Sequence, residues 1–397
     1  MDKLNVALMV FSNGIGGAEA VVGELARHLD RAAFNCFVIT TDEIRAYYER
    51  DATTVFSLGK LRDTYHLKRL TTLLNDFWPS RFPRRVFRPA KLREVAAFLE
   101  RNHIHLLHTH LIADQRFAAA LRRAPGLRNL RSVMTVHGVL DLDVGARHPV
   151  RPRLLRRMFD TADGVTSACR YFLDRLEACG IRVAHKASLI DNGINEELLA
   201  SKREPTRDDD ILTMTYLGGT RVEKGGDLLV KALDIVVHRR GVSGVHLDIL
   251  RAVPPDSPLA ALIRQCSLEG HVTLAGYVGG GDHLRYISRN DLYVLPSRTE
   301  GVANTLMEAI GLGKPVLATA VGGTPEIVTH GQNGYLCEPT PEALAEGILF
   351  FVNNPQKLKE YGAANDAMRP RFSWRTVVPH YERLYRALVT RPTPPLT

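Results

Sequence analysis

The chain reads as an α/β protein made of two doubly wound domains, and three observations predict it. Strand, loop and helix follow one another at residues 5–29, 211–239 and 292–310, the repeating unit of an open parallel sheet. At 397 residues the chain exceeds one typical hydrophobic core. Between the halves, residues 195–210 (NEELLASKREPTRDDD) are polar and charged, as a linker is. The expected division is a first domain over 1–195, a second over 196–375, and a terminal helix and tail over 376–397.

Residues 5–11 are a strand, and the loop from Ser12 to Glu19 is glycine-rich. A helix over 20–29 follows, with Val21, Val22, Leu25 and Leu29 on one face, and the chain returns as a strand over 37–40. Gly16 and Gly17 lie in that loop, where amides can come close to a phosphate or a sugar. The loop lacks a clean GxGxxG, which argues against a nicotinamide dinucleotide. A helix over 91–101 precedes a strand over 104–107 that ends in His108-Thr109-His110, and a strand over 131–136 ends in His137-Gly138. His108 and His110 share a strand face with metal-ligand spacing, but no further cluster accompanies them. One is therefore expected buried and hydrogen-bonded, the other lining a cleft. Asp141-Leu142-Asp143 has the form of a metal-diphosphate DxD, but it follows a glycine turn rather than a strand and reads as a loop. Helix and strand over 158–168, a helix over 170–179 stopped at Gly180, and a strand at 188–190 leading into Asp191-Asn192-Gly193 complete the first half.

The second half restarts the pattern. A strand over 211–217 runs into the loop Gly218-Gly219-Thr220-Arg221-Val222-Glu223-Lys224-Gly225-Gly226. A helix over 227–239 turns Leu228, Leu229, Ala232, Leu233 and Val236 inward, and strands follow at 246–250 and 272–274. The apolar run 292–295 is stopped by Pro296, a polar loop leads to Glu300-Gly301, and a helix begins near Val302. Gly311 and Gly313 close that helix, and a strand starts at Val316. The amides of Ala303, Asn304 and Thr305 would face whatever sits at the loop.

Composition narrows the function classes. The apolar content of 45% and charged content of 24% belong to a soluble globular protein. No run of 18 apolar residues exists, so no transmembrane helix is expected. The opening MDKLNVALMVF is too short an apolar run for a signal peptide and reads as a first strand. Five scattered cysteines without a CxxC point to reduced thiols in a cytoplasmic protein and against zinc. The net charge of +9 is uneven: residues 60–101 hold eleven Lys/Arg against four Asp/Glu. There Trp78, Phe82 and Phe87 interleave with Arg81, Arg84, Arg85 and Arg88, a composition that suits either an anionic membrane surface or a solvated face over a few core aromatics.

Glu300, seven residues, Glu308, then GLGKPVLATAVGGTPEIV and GQNGYL form a pattern of about 45 residues whose parts keep order and spacing. It resembles the retaining glycosyltransferases of the GT-B fold, family 4 of the glycosyltransferase classification. The resemblance is strong from residue 211 onward and weaker before it. It implies two Rossmann-like domains facing across a cleft, with a C-terminal helix (here 377–388, after Phe372-Ser373-Trp374) crossing back to the first. The second domain would bind a nucleotide-sugar donor and the first would face the acceptor. By resemblance Glu300 accepts hydrogen bonds from donor-sugar hydroxyls and Glu308 from the ribose. Lys224 would meet the diphosphate, and His137, in Thr135-Val136-His137-Gly138, would lie beside the sugar. The catalytic set is thus His137, Lys224 and Glu300. The donor set adds Gly16, Gly17, Arg221, Gly301, Val302, Ala303, Asn304, Thr305 and Glu308. Tyr277, in Gly276-Tyr277-Val278, is either a base contact or a core residue. Two departures stand out: Asp191 replaces the proline of the family's PNG element, and Gly219 stands where an arginine usually precedes the lysine by five residues. Arg221 is the neighbouring substitute, or the arginine is missing.

The resemblance further implies transfer to an acceptor hydroxyl with retained anomeric configuration, independent of a metal, with no nucleic-acid partner. A lipid-linked acceptor in surface-polysaccharide or glycolipid assembly, with the enzyme peripheral on the inner face of the cytoplasmic membrane, follows from the basic aromatic stretch. Two other classes share these features. A sugar-nucleotide epimerase on this fold would hydrolyse donor with an isomerised product, and a non-catalytic basic binding protein would bind no nucleotide sugar.

Overall fold

The computed structural model describes residues 3–49, 54–61, 65–66, 86–122, 124–137, 151–202, 204, 211–279 and 281–391. The chain divides into two compact units, one of Met1–Ser167, Leu173–Ile190 and Val378–Thr397, the other of Ala168–Phe172 and Asp191–Val377.

The first unit holds a seven-stranded sheet with the order Thr54–Ser57, Phe34–Thr40, Leu4–Met9, Leu106–Thr109, Arg131–Val136, Gly164–Ser167, Ala187–Leu189. Every pairing is parallel, so both faces must be covered, and the inner strands Leu106–Thr109, Arg131–Val136 and Gly164–Ser167 are buried along their whole length. The chain's first strand is central, so the order of winding reverses between it and Leu106–Thr109. On one face Phe98, Leu99, Phe117 and Leu121, from the helices Pro89–Arg101 and Ile112–Leu121, pack against Ala7, Met9, Ile39 and Leu107. The terminal helix Trp374–Thr390 ends in this unit: the Glu382 carboxylate accepts the amide of Asp30 at 2.9 Å, and Tyr385 is buried edge-on to Phe34.

The second unit repeats the design with six strands, Val272–Gly276, Val245–Leu250, Leu212–Leu217, Leu292–Leu295, Val316–Thr319 and Gly334–Cys337. Its reversal lies between Leu212–Leu217 and Leu292–Leu295, the place where open α/β sheets bind ligands. The helix Gly226–Asp234 buries Leu228, Leu229, Ala232 and Leu233, as its spacing predicts.

Several expectations need correction. The stretch read as linker contains a helix, Glu196–Ser201, whose first turn is capped by the Asn195 side chain accepting the Leu198 amide at 2.8 Å. Asn followed by Glu-Glu is a helix start, and only Leu199 is buried, so the polar composition hid it. The helix expected from Val302 begins at Asn304, because Ala303 is still extended as its N-cap. Asp141 and Asp143 lie outside the described residues, as do Trp78, Phe82, Arg81, Arg84 and Arg85 of the basic stretch. Arg88 and Arg93, at its end, are exposed. No helix among the described residues is long and apolar enough to cross a membrane.

Candidate functional site

At the reversal of the second sheet two loops meet, one after Leu212–Leu217 and one after Leu292–Leu295. Lys224 Nζ donates to Glu300 Oε2 at 2.6 Å, and the buried Ser297 hydroxyl donates to the same oxygen at 3.3 Å. Arg298 locks the loops together: its two Nη atoms grip the Asp227 carboxylate at 2.7 Å each, and Nη1 also donates to the Val222 carbonyl. Such a two-point guanidinium–carboxylate contact fixes geometry as well as charge, and it holds the Asp227 carboxyl below its ordinary range. The close approach requires glycine at two places. Gly225 has φ +70°, and a Cβ there would stand 1.8 Å from the Pro296 carbonyl oxygen. Gly322, with φ +60°, would place a Cβ 1.7 Å from the Glu300 carbonyl oxygen. The paired glycines after Val316–Thr319 thus support the backbone that carries Glu300.

Behind Glu300, Gly301 to Ala303 lead into the helix Asn304–Gly311, whose first amides have no carbonyl one turn earlier. The Tyr293 hydroxyl, at the strand end, donates to Thr305 Oγ1 at 2.6 Å, and Asn192 Nδ2 donates to Asn304 Oδ1 at 3.1 Å. Asp191, the residue in place of the proline, pairs with Arg371 at 2.9 Å. Glu308 projects from the helix flank with Oε2 2.9 Å from His283 Nε2. Among the described residues no other side chain bonds to Glu308, which leaves Oε1 and the remaining lone pairs for another donor. Tyr277 is 80% exposed, which removes core packing as its role. Arg221 is exposed and its guanidinium is engaged by Glu223 at 2.5 Å.

In the first unit, three histidines converge at the ends of adjacent strands. His108 is buried between the Tyr385 hydroxyl at 2.7 Å and Thr135 Oγ1 at 2.6 Å, and desolvation holds its imidazole down to about 3. His110 is also buried, and its Nδ1 lies 2.9 Å from Nε2 of the half-buried His137. Burial holds His137 down to about 4 and His110 well below its usual range. Both are therefore neutral at pH 7, and one donates to the other. The expectation that one of the HxH pair is buried and the other lines a cleft is corrected: both are buried, and it is His137 that reaches solvent. Gly16 caps the helix Gly17–His28, but its amide already donates to Glu19 Oε2 at 2.9 Å. The Gly16 N–H is therefore engaged within its own loop.

Sequence reasoning missed His283, Arg298 and Asp114. Asp114 is buried and accepts the amides of Phe11 and Leu111 at 3.3 and 3.1 Å, which pins the start of the glycine loop. The only local signal was an acidic residue in the first turn of a helix, Ile112–Leu121, that had not been foreseen. Among the described residues no group of three or more His, Cys, Asp or Glu is arranged to hold a metal ion.

Comparison with known proteins matches the whole of this architecture. The family model "Glycosyltransferase Family 4" matches residues 15–198, and "Glycosyl transferases group 1" matches residues 199–368. N-acetyl-alpha-D-glucosaminyl L-malate synthase of Bacillus anthracis is 22% identical over 396 residues, covering 96% of this chain and 97% of that one. A GDP-mannose-dependent alpha-(1-6)-phosphatidylinositol monomannoside mannosyltransferase of Mycobacterium tuberculosis is 28% identical over 231 residues, 54% of this chain and 59% of that one. The crystal structure of Anabaena HepE in complex with UDP superposes with a TM-score of 0.76 at 18% identity, over 97% of this chain and 100% of that one. The same fold is thus established, two parallel sheets flanked by helices in the GT-B arrangement.

Proposed function

The chain belongs to the group 1 glycosyltransferases of the GT-B fold, and on that premise we propose that its second unit binds a nucleotide-sugar donor whose sugar passes to an acceptor hydroxyl with retention. The observation that carries this reading is the Lys224–Glu300 pair, 2.6 Å apart at the reversal of the second sheet. Cleavage of the donor breaks the bond between the anomeric carbon and the β-phosphate oxygen, and negative charge grows on that phosphate. A fixed ammonium and the first-turn amides of Asn304–Gly311 oppose that charge. Gly301, Val302, Ala303, Asn304 and Thr305 form the edge against which the donor would lie. Glu300 accepts from sugar hydroxyls and Glu308 from the ribose diol, since a carboxylate offers several acceptor sites to neighbouring hydroxyls. Tyr277 stands open for the base. The acceptor oxygen bonds to the anomeric carbon on the face that the diphosphate leaves, and its proton passes to a phosphate oxygen. His137 of the first unit, neutral at pH 7, suits hydrogen bonding to a sugar hydroxyl rather than charge pairing. The division of labour is thus a donor unit at Asp191–Val377 and an acceptor-side unit formed mainly by Met1–Ser167. The Anabaena structure with UDP-glucose supports a hexose donor.

Because the charge is met by Lys224 and helix amides, donor turnover should persist in excess EDTA. The check is release of nucleoside diphosphate from UDP-, GDP-, ADP- and dTDP-sugars, with and without chelator. Loss in EDTA that Mg²⁺ or Mn²⁺ restores would return Asp141 and Asp143 to the reaction. Failure of the protein to bind any of the four donors would remove the transferase reading of this site.

For the acceptor we propose a lipid-linked glycan and peripheral binding at the cytoplasmic membrane face. Support comes from the excess of basic residues over 60–101 and from the phosphatidylinositol-linked acceptor in the name of the mycobacterial relative. Each Lys or Arg near an anionic leaflet contributes about 1 kcal/mol, and the attraction decays within a Debye length. The protein should float with liposomes containing anionic lipid at low salt and release at high salt. Replacing Arg81, Arg84, Arg85 and Arg88 by serine should abolish flotation while donor binding persists; a wild type that stays unbound at low salt contradicts the membrane assignment.

A further inference from the structure

The cation expected at position 219 is absent, and most of the neighbouring cations already have partners: Lys224 is held by Glu300, Arg221 by Glu223 and Arg298 by Asp227. Arg251, in the next loop of the same sheet end, is exposed, and its guanidinium makes no ion pair among the described residues. Its backbone is also unusual. Among the described residues three non-glycine residues have positive φ: His103 (46°) and Ser267 (51°) follow the helices Pro89–Arg101 and Pro258–Gln265, where a left-handed residue commonly ends a helix. Arg251 ends a strand instead, at φ 88°, where a side chain is strained. The pairing of Val245–Leu250 with Val272–Gly276 shifts register between Ile249 and Leu250, and the Arg251 amide donates to the Gly276 carbonyl at 2.7 Å. Such bulges re-aim a side chain, often beside an active site. Here the result brings Arg251 against the turn before Lys224. A Cβ on Gly218 would lie 2.7 Å from Cβ of Lys224, and one on Gly219 would lie 3.2 Å from Cβ and 4.0 Å from Cδ of Arg251. The two cations thus flank one Gly-Gly turn.

We propose that Arg251 is a donor-binding residue, the second cation of the diphosphate site, placed by the bulge and its left-handed backbone against Gly219. This deepens the reading of the second unit as the donor-binding one and rests on it. The position that lacks an arginine at the end of Leu212–Leu217 receives one from the adjacent strand, and Gly219 leaves the space for it. The fork of a guanidinium suits two phosphate oxygens where an ammonium offers a point charge.

The test titrates wild type and three variants, Arg251→Ala, Arg251→Lys and Arg251→Gly, with UDP, GDP, ADP and dTDP and with the parent nucleosides at millimolar concentration. The expected result is a tenfold or greater loss of affinity for the preferred diphosphate in Arg251→Ala, a smaller loss in Arg251→Lys, and nucleoside affinity within twofold of wild type. Arg251→Gly should lose affinity like the alanine variant while its melting temperature holds or rises, because glycine adopts this φ without strain. A residue with a merely structural role would give the reverse, a lowered melting temperature with diphosphate affinity intact. Unchanged diphosphate affinity in Arg251→Ala overturns the assignment while leaving the donor reading in place. Failure of wild type to bind any of the four diphosphates overturns the donor reading, and this assignment falls with it.

Discussion

Replacing Lys224 by alanine is expected to lower kcat by about 10²- to 10³-fold, the cost of removing one preorganised donor to a developing anion. KM for the donor should change far less. The argument is one of timing. In the ground state the diphosphate charge is shared among several oxygens, and the first-turn amides and Arg251 also meet it. Charge localises on the leaving oxygen only as the glycosidic bond lengthens, so an ammonium there acts mainly on the transition state. The fixed position matters as much as the charge. Lys224 is held by Glu300 at 2.6 Å, and its loop is clamped to the next by Arg298 and Asp227, so little reorganisation accompanies reaction. Steady-state kinetics against the preferred donor separates the two cases. A raised KM with kcat intact would mean that Lys224 merely holds the ground state.

What could be read from the sequence was what is written in contiguous residues. The strands Arg131–Val136 and Leu292–Leu295 stand where their apolar runs are bounded by polar or proline punctuation. Glu300, Lys224 and Glu308 were singled out through the family resemblance, which the contiguous motifs around them carry. The missing parts are relations between distant residues. Arg298 grips Asp227, 71 residues away, and His283 reaches Glu308 across 25, so neither leaves a periodic trace. Ile112–Leu121 was overlooked because its run of alanines shows little contrast between faces; tertiary burial of Phe117 and Leu121 stabilises it. Arg251 was invisible for a third reason: its importance lies in a backbone angle, and no residue type announces that.

Glu308→Ala is expected to weaken nucleotide binding by about 1.5–3 kcal/mol, since hydrogen bonds to a charged acceptor are worth more than neutral ones. That corresponds to roughly 10- to 150-fold in Kd. Two ribose hydroxyls lose their acceptor, and His283 Nε2 loses its partner at 2.9 Å, so the pocket edge loses both recognition and support. Glu308→Gln keeps the shape but not the charge and should fall between. The effect should appear in binding and KM rather than kcat, because the ribose is bound equally before and during reaction.

The most direct test is calorimetric titration of the wild type and Glu308→Ala with UDP-, GDP-, ADP- and dTDP-sugars. The account predicts that the wild type binds at least one of the four, with one base preferred, and that Glu308→Ala binds the same donor at least tenfold more weakly. Binding of none by the wild type, or equal affinity in the variant, would contradict the placement of the donor on the second unit with its ribose at Glu308.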